Sequence, residues 1–162
     1  MTGSCHIEPI DVAVVAARVR TPAGDRILLT RRHPDGILPD SWELPGGKFE
    51  DGEAAAAAAA RELQEETGLE AAGLDPLGVW ESPASRPPVR LHAFLAEIPG
   101  DIPPPVRLDG PVDARWITPE QLADWPLPPS NGPVTEALLA RLTGPAEPAA
   151  GHGSTPDPGI GD

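Results

Sequence analysis

Apolar positions in the first third of the chain form short β-type runs separated by turns rich in proline and glycine. The run over residues 11–19 is rich in valine and alanine, and a turn over 21–25 leads to a second apolar run over 27–31. We therefore predict a β-hairpin. A shorter apolar piece over 42–44 leads into Gly46 and Gly47, which permit positive φ and close backbone approach to a ligand.

The next segment predicts a helix that begins near Asp51 or Gly52. Seven consecutive alanines over residues 54–60 favour helix strongly. Asp51 is positioned to cap the helix, and Glu53 in the first turn would suit the helix dipole. Gly68 is a natural residue to end it.

The second half of the chain predicts further strands and two more helical segments. The strands are expected over 79–81, 89–98 and 114–117. A helical turn is expected over 118–121, with Pro119 at its first helical position, and a last helix over 133–142. Strands before and after one central helix indicate a mixed sheet between helices. The pattern alone does not fix the topology.

The chain length of 162 residues favours one folded domain with a real core. We expect a flexible N-terminus over residues 1–8, the domain over 9–143, and a disordered tail rich in proline and glycine over 144–162. The tail cannot bury enough apolar surface to offset the entropy of ordering.

The lack of a recognisable targeting signal and the cysteine content lead us to expect a cytoplasmic protein. The best apolar stretch is too short to span a membrane and is interrupted by Arg18, and the N-terminus lacks the basic and apolar regions of a signal peptide. The one cysteine, Cys5, cannot form an internal disulfide, which agrees with a reducing compartment.

A formal net charge of −13 limits the classes of partner. A nucleic-acid duplex is not expected as partner, because its binding needs a basic face. A small phosphate ester is compatible with an acidic site if metal ions accompany it, since the ion inverts the local electrostatics. The composition therefore favours metal-dependent phosphate chemistry over metal-free binding.

Three carboxylates share one face of the predicted central helix. With about 100° of rotation per residue, Glu62, Glu65 and Glu66 fall within an arc of about 100°. Their mutual repulsion requires an offsetting charge, and a hard divalent cation, Mg²⁺ or Mn²⁺, prefers such oxygen ligands. The alternative is a surface helix whose acids are merely solvated.

The residues around these carboxylates carry a family resemblance. From Gly47 to Leu69 the chain reads GKFEDGEAAAAAAARELQEETGL, which matches G-x5-E-x7-R-E-U-x-E-E-x-G-U at all nine defined positions, U being a bulky aliphatic. The chain thus resembles a Nudix hydrolase. The resemblance implies an α/β/α sandwich with a mixed β-sheet. The motif over residues 47–69, called the box below, would form a loop–helix–loop. The resemblance also implies hydrolysis of a phosphoanhydride.

The resemblance implies roles for the acids and the arginine of the box. Glu62, Glu65 and Glu66 would bind Mg²⁺ or Mn²⁺ together with the Gly46 carbonyl, and Glu62 is also a candidate for the base or for aligning the water. Arg61 is implied to be structural, paired with carboxylates including Glu53, and its i,i+4 relation to Glu65 fits that role.

A further metal ligand in the family comes from a late loop of variable spacing. Asp109 and Asp113, both ahead of Trp116, are the candidates here. The alternative for each is a solvated loop acid.

Three further segments resemble the MutT branch, which hydrolyses nucleoside triphosphates to monophosphate and pyrophosphate. They are LLTRR (28–32), SWELPGGK (41–48) and LPPSNGPVTEALLARL (127–142). The candidates for substrate binding are Arg32, Gly47 and Lys48. Of these, the basic residues Arg32 and Lys48 would bind the phosphate groups. Asn131 matches an asparagine that reads the base, and its alternative role is a helix N-cap.

Other substrates and roles stay open on the sequence. A nucleoside diphosphate derivative such as ADP-ribose, a dinucleoside polyphosphate or a pathway-specific pyrophosphate would use the same box. The segment over 82–88 departs from the MutT resemblance and could reshape the pocket. A module that senses a nucleotide without cleaving it is disfavoured by the intact box. A homodimer is compatible with the sequence.

Overall fold

The computed structural model of the protein describes residues 7–35, 41–82, 86–125, 127–128 and 131–143. The tail that we expect to be disordered, residues 144–162, lies outside the described residues. So do residues 1–6 of the expected flexible N-terminus, including Cys5.

The described residues form strands and helices in the order expected for a mixed α/β fold. The strands are β1 (Ile10–Thr21), β2 (Gly24–Arg31), β3 (Trp42–Glu43), β4 (Gly46–Lys48), β5 (Gly73–Ser82), β6 (Val89–Glu97) and β7 (Asp113–Ile117). The helices are α1 (Ala55–Thr67), α2 (Pro119–Leu122) and α3 (Gly132–Thr143).

Strand β1 organises a seven-stranded sheet within the described residues. The strands follow the order β3-β2-β1-β6-β5, with β4 also paired to β1 and β7 to β2. β1 and β6 run parallel, whereas the other pairs are antiparallel. The predicted hairpin is confirmed, because Thr21 of β1 pairs with Gly24 of β2.

Both faces of the sheet are covered, which explains the nearly continuous apolar sequence of β1. Ala13, Val15 and Ala17 pack on the face that carries Ala58 and Leu63 of α1. The opposite face packs against α2 and α3. Its core contains Val14, Ala16, Leu29, Leu122, Val134 and Leu138. The expected α/β/α sandwich with a mixed sheet is confirmed.

The predicted start of α1 is wrong. The helix begins at Ala55 with Ala54 as N-cap, so Asp51 does not cap it and Glu53 precedes its first turn. Residues 51–52 form a turn instead, in which Gly52 adopts a φ of 73°. Glu53 is held by bonds to Glu50 and to Arg61 rather than by the helix dipole. The predicted end is confirmed, since Gly68 is the C-cap with a φ of 74°.

Two other local predictions need correction. Gly46 and Gly47 do not use positive φ; they form β4, which pairs with Val14 and Ala13 of β1. Strand β5 begins at Gly73, earlier than predicted, because the irregular pairing between Pro76 and Gly78 breaks the apolar alternation.

The helical turn α2 forms as predicted. Thr118 and Gln121 make a reciprocal capping box, and Pro119 occupies the first turn. None of the helices in the described parts of the chain is long and apolar enough to cross a membrane.

Candidate active site

Strand β4 pairs with β1 and also contacts helix α1. A β-carbon on Gly46 would lie 2.1 Å from the Ala13 carbonyl oxygen, so only glycine fits between these strands. The Gly46 N–H donates to Glu66 Oε2 at 3.3 Å. Gly46 therefore joins the sheet directly to a carboxylate of the box.

The neighbouring Gly47 has a different contact with the same helix. A β-carbon there would lie 2.4 Å from the Glu62 Cδ atom. The Glu62 carboxylate thus rests on the Gly47 backbone. Glu62 and Glu66, which are one helical turn apart, both face β4.

Arg61 joins a carboxylate ahead of α1 to two carboxylates in the second half of the helix. Its Nε and Nη2 donate to Glu53 at 2.8 Å each, a bidentate pair. Its Nη1 donates to Glu62 at 2.9 Å and to Glu65 at 3.1 Å. Nη2 also donates to the Lys48 carbonyl at 3.0 Å, which ties the helix to β4.

The predicted pairing of Arg61 with Glu53 is present. It lowers the pKa of Glu53 to about 2, mainly through the hydrogen bond from Arg61. Arg61 itself has a pKa raised above its ordinary value, first by the hydrogen bond to Glu53. The arginine therefore stays charged and neutralises part of the acidic cluster.

Glu66 is the perturbed acid of the site. Burial raises its pKa to about 8, and the charges of Glu62 and Glu43 add to the rise. The hydrogen bond from Gly46 and the charge of Arg32 act in the opposite direction. An added positive charge at this position would stabilise the carboxylate form of Glu66.

A cavity of about 390 Å³ lies beside β4 and includes all three of its residues in its lining. Its apolar wall comes from Val12, Val14, Leu44, Val89 and Leu91. Its polar lining residues are Arg32, Glu43, Lys48, Ser82 and Asn131, and Gly46 and Gly47 also line it. A largely apolar cleft with a few converging polar groups is typical of small-molecule sites.

The predicted substrate residues meet in this cavity. Arg32, Gly47, Lys48 and Asn131 all line it, although they are distant in sequence. Asn131 is only 8% exposed, directly precedes α3, and its backbone N–H donates to the Pro128 carbonyl at 2.9 Å.

Glu43 is a cavity residue that the sequence reasoning missed. Its Oε1 lies 2.7 Å from Arg32 Nε, and this hydrogen bond is the first cause of the raised pKa of Arg32. The signal in the sequence was its place in the SWELPGGK segment, two residues from the proline that precedes the glycine pair.

The late-loop aspartates lie in different surroundings. The exposed Asp109 is tied by its backbone N–H to the Glu66 carbonyl at 3.1 Å, which brings the late loop to α1. Asp113 begins β7 beside Arg31, and its Oδ1 accepts from the Ala114 N–H at 2.8 Å. Of the two, Asp109 belongs to the segment that contacts the box.

The side chains of the three box glutamates do not converge on one position. Glu62 and Glu66 face β4, whereas the Glu65 side chain is 57% exposed and bonded to Arg61. Among the described residues, no group of three or more acidic, histidine or cysteine side chains is arranged as a metal site. The donors nevertheless suit a hard divalent cation, because the partly buried carboxylate of Glu66 and the carboxylate of Glu62 face the same strand.

The chain is similar to a known protein family and to named members of it. The NUDIX domain profile matches residues 9–138. The CTP pyrophosphohydrolase of Escherichia coli (strain K12) is 31% identical over 137 residues, covering 84% of this chain and 98% of that protein. The putative 8-oxo-dGTP diphosphatase 2 of Mycobacterium tuberculosis (strain CDC 1551 / Oshkosh) is 35% identical over 140 residues, covering 83% and 92%.

Solved structures show the same fold. The NUDIX domain of Shewanella oneidensis NrtR, crystallised with ADP ribose, superposes with a TM-score of 0.72 at 17% identity. The match covers 88% of this chain and 94% of that chain. At this identity the likeness establishes the architecture, not the ligand.

Proposed function

This chain belongs to the NUDIX family of pyrophosphate-bond hydrolases, and we propose that it hydrolyses a nucleoside triphosphate to the monophosphate and pyrophosphate. Mg²⁺ or Mn²⁺ would be the cofactor. Both named relatives act, by their names, on nucleoside triphosphates, CTP and 8-oxo-dGTP.

The observation that carries this proposal is the shared wall between the acids and the cavity. Gly46 and Gly47 line the cavity, and the same two residues contact Glu66 and Glu62. A triphosphate chain lying along β4 would therefore reach the acids of α1 while its nucleoside remained in the cavity.

The residues divide the reaction between them. Glu62, Glu65, Glu66 and the Gly46 carbonyl would hold the metal, with Asp109 as a further candidate from the late loop. The chemistry that the bound ion supplies is neutralisation of phosphate charge and a lower pKa for the attacking water.

The remaining steps rest on side chains of the chain itself. Glu62 would accept a proton from the attacking water as its oxygen bonds to phosphorus, the P–O bond of the α–β bridge would break, and monophosphate and pyrophosphate would be released. Arg61 and Glu53 would keep Glu62 in place, since Arg61 donates to both. Arg32 and Lys48 would bind phosphate, and Asn131 would contact the base.

Product analysis on a substrate panel tests the proposal. With Mg²⁺ or Mn²⁺, release of pyrophosphate from CTP, dCTP, dGTP or 8-oxo-dGTP is the expected result. Release of AMP from ADP-ribose, without triphosphate turnover, would overturn the triphosphate assignment. Nucleotide binding without any turnover would point instead to a sensing module.

The variants Glu65→Gln and Glu66→Gln test the metal assignment in the same assay. Each keeps the shape of the side chain and removes a carboxylate charge. We expect both to remain folded and to lose activity by about two orders of magnitude or more, because charge neutralisation in the transition state is lost. Wild-type turnover in either variant would contradict the assignment.

A further inference from the structure

Arg32 interacts with two acidic groups that belong to different parts of the site. Its Nε is hydrogen bonded to Glu43 Oε1 at 2.7 Å, and both side chains line the cavity. Its charge also interacts with that of Glu66, the acid held from the other side by the Gly46 N–H. Arg32 is thus within electrostatic reach of the acids proposed to bind metal.

We propose that Glu43 is a positioning residue that holds the Arg32 guanidinium in the nucleotide cavity and prevents it from pairing with the carboxylates of α1. The inference rests on the proposed function, because it concerns the competition between Arg32 and a divalent cation for Glu66. Glu43 belongs neither to the proposed metal ligands nor to the proposed substrate-binding residues.

The strand pairing explains why Glu43 is suited to this task. Glu43 pairs with Thr30 on the adjacent strand β2, and the Arg32 N–H donates to the Ser41 carbonyl at 3.0 Å. The backbone is therefore fixed at Glu43 in β3 and at Arg32, directly after β2. The side chains are partly exposed, 23% for Glu43 and 38% for Arg32, so that a ligand in the cavity can reach them.

The bond at Nε determines the direction of the whole guanidinium group. The group is planar and its five N–H donors have a fixed arrangement, so holding Nε sets the plane of the other nitrogens. Glu66 is a second acidic group that acts on the charge of Arg32, so without Glu43 the guanidinium would be drawn toward it. An arginine paired with Glu66 would neutralise a carboxylate that the divalent cation needs.

A double-mutant cycle on metal binding tests this directly. Mn²⁺ binding without nucleotide is measured by electron paramagnetic resonance in the wild type, Glu43→Gln, Arg32→Gln and the double variant. We expect Glu43→Gln to weaken Mn²⁺ binding about three- to tenfold, the scale of one ordinary intramolecular hydrogen bond. In the Arg32→Gln background the same change should have almost no effect.

A simple loss of negative charge gives a different result. If Glu43 acts only through its charge, Glu43→Gln weakens Mn²⁺ binding equally in both backgrounds, and the inference is overturned. Glu43→Asp supplies a second variant, because it keeps the charge but shortens the reach to Arg32. If Glu43 positions Arg32, Mn²⁺ binding should be weaker in Glu43→Asp. If Glu43 acts only through its charge, Glu43→Asp should bind Mn²⁺ as tightly as the wild type.

Steady-state kinetics supply an independent readout. Glu43→Gln should raise the KM for the triphosphate about tenfold, with a smaller change in kcat at saturating Mn²⁺. Glu81→Gln is the matched control, because Glu81 pairs with Arg90 at 2.9 Å and does not line the cavity. Circular dichroism checks that each variant is folded.

The outcomes separate the inference from the proposed function. Wild-type protein that neither binds Mn²⁺ nor releases pyrophosphate would overturn both. An active, Mn²⁺-binding wild type with additive effects of Glu43 and Arg32 would overturn the positioning role alone.

Discussion

The carboxylate of Glu62 lies directly against the Cα atom of Gly47. A β-carbon at position 47 would be 2.4 Å from Glu62 Cδ and 2.5 Å from Oε1. Real β-carbon contacts are not this short, so any side chain at 47 must displace Glu62. The position of a proposed metal ligand and base is therefore set by the absence of a side chain on the strand opposite.

Gly47→Ala should consequently impair activity more than stability. The obstructing group is the end of a flexible glutamate, which can move aside at a small cost in folding free energy. We expect a loss of activity of about a hundredfold or more, because a misplacement of about 1 Å in a catalytic group costs this much. Pyrophosphate release and thermal unfolding measure the two effects.

Two other glycines provide the comparison for Gly47→Ala. Gly46→Ala should destabilise the protein itself, because the added carbon would meet the backbone oxygen of Ala13 at 2.1 Å. Gly73→Ala should change neither property, since a β-carbon there would have no atom within 4 Å and the φ of Gly73 is not positive. A fully active Gly47→Ala enzyme would contradict the proposed role of Glu62.

Arg61→Lys is expected to lower both activity and the unfolding temperature. Lysine has one compact ammonium group and cannot reproduce the bidentate pair with Glu53 together with the bonds to Glu62 and Glu65. The acids would then repel one another. Thermal unfolding and pyrophosphate release are the measurements, with Arg141→Lys as control at a long surface pair with Asp75.

The pH dependence of this pair has a defined sign. The lowered pKa of Glu53, about 2, means that its contribution to stability is complete above the ordinary value near 4.5 and is lost as pH falls toward 2. Glu53→Gln should therefore flatten the acid side of the unfolding curve. An unchanged acid transition in Glu53→Gln would show that the pair does not contribute.

The sequence predicted the chemistry of the site better than the contacts that assemble it. Glu62, Glu65 and Glu66 could be placed on one helix face from spacing alone. Spacing suggested the pair of Arg61 with Glu65, but it could not show that Arg61 also bonds Glu62, or that Glu65 is exposed while Glu66 is partly buried. Burial depends on which strand lies opposite the helix.

The wrong helix start and the missed cavity residue have the same origin, because both depend on contacts between distant parts of the chain. Asp51 is a good capping residue by type, yet the chain turns at Gly52 and the helix begins at Ala55 without a side-chain cap. Tertiary bonds from Arg61 to Glu53 and Lys48 hold the segment ahead of α1. Glu43 was missed because only the pairing of β3 with β2 brings it to Arg32.

In the absence of divalent cations, the stability of the protein should fall as pH rises from about 4.5 to about 8. Glu66 has a pKa raised to about 8 by burial, so over this range the folded state holds a proton that the unfolded state has released. The free energy of unfolding then declines with a slope of up to about 1.4 kcal/mol per pH unit.

Chemical denaturation in EDTA at several pH values measures this slope. Glu66→Gln should flatten it, whereas Glu136→Gln, at a position of α3 outside the site, should leave it unchanged. Added Mg²⁺ should stabilise the wild type more at pH 8.5 than at pH 5.5, because a metal ligand must be deprotonated. Equal slopes in wild type and Glu66→Gln would rule out the buried acid as the cause.

Asn131→Ala should change the preference among bases more than the overall rate. Asn131 is almost fully buried, lines the cavity, and lies far from the box acids in sequence. Its amide offers a donor and an acceptor that a base edge can pair with. Removing them should reduce kcat/KM about tenfold or more for the best nucleotide and less for poor ones, since a good bidentate contact contributes about 1–3 kcal/mol.

Asn131→Asp refines the test, because it keeps the acceptor and removes the amide donor. A base that needs the donor should be turned over as poorly by Asn131→Asp as by Asn131→Ala. Thermal unfolding distinguishes the alternative role at the start of α3. Equal losses on every nucleotide, accompanied by a lower unfolding temperature in Asn131→Ala, would show that Asn131 caps the helix and does not read the base.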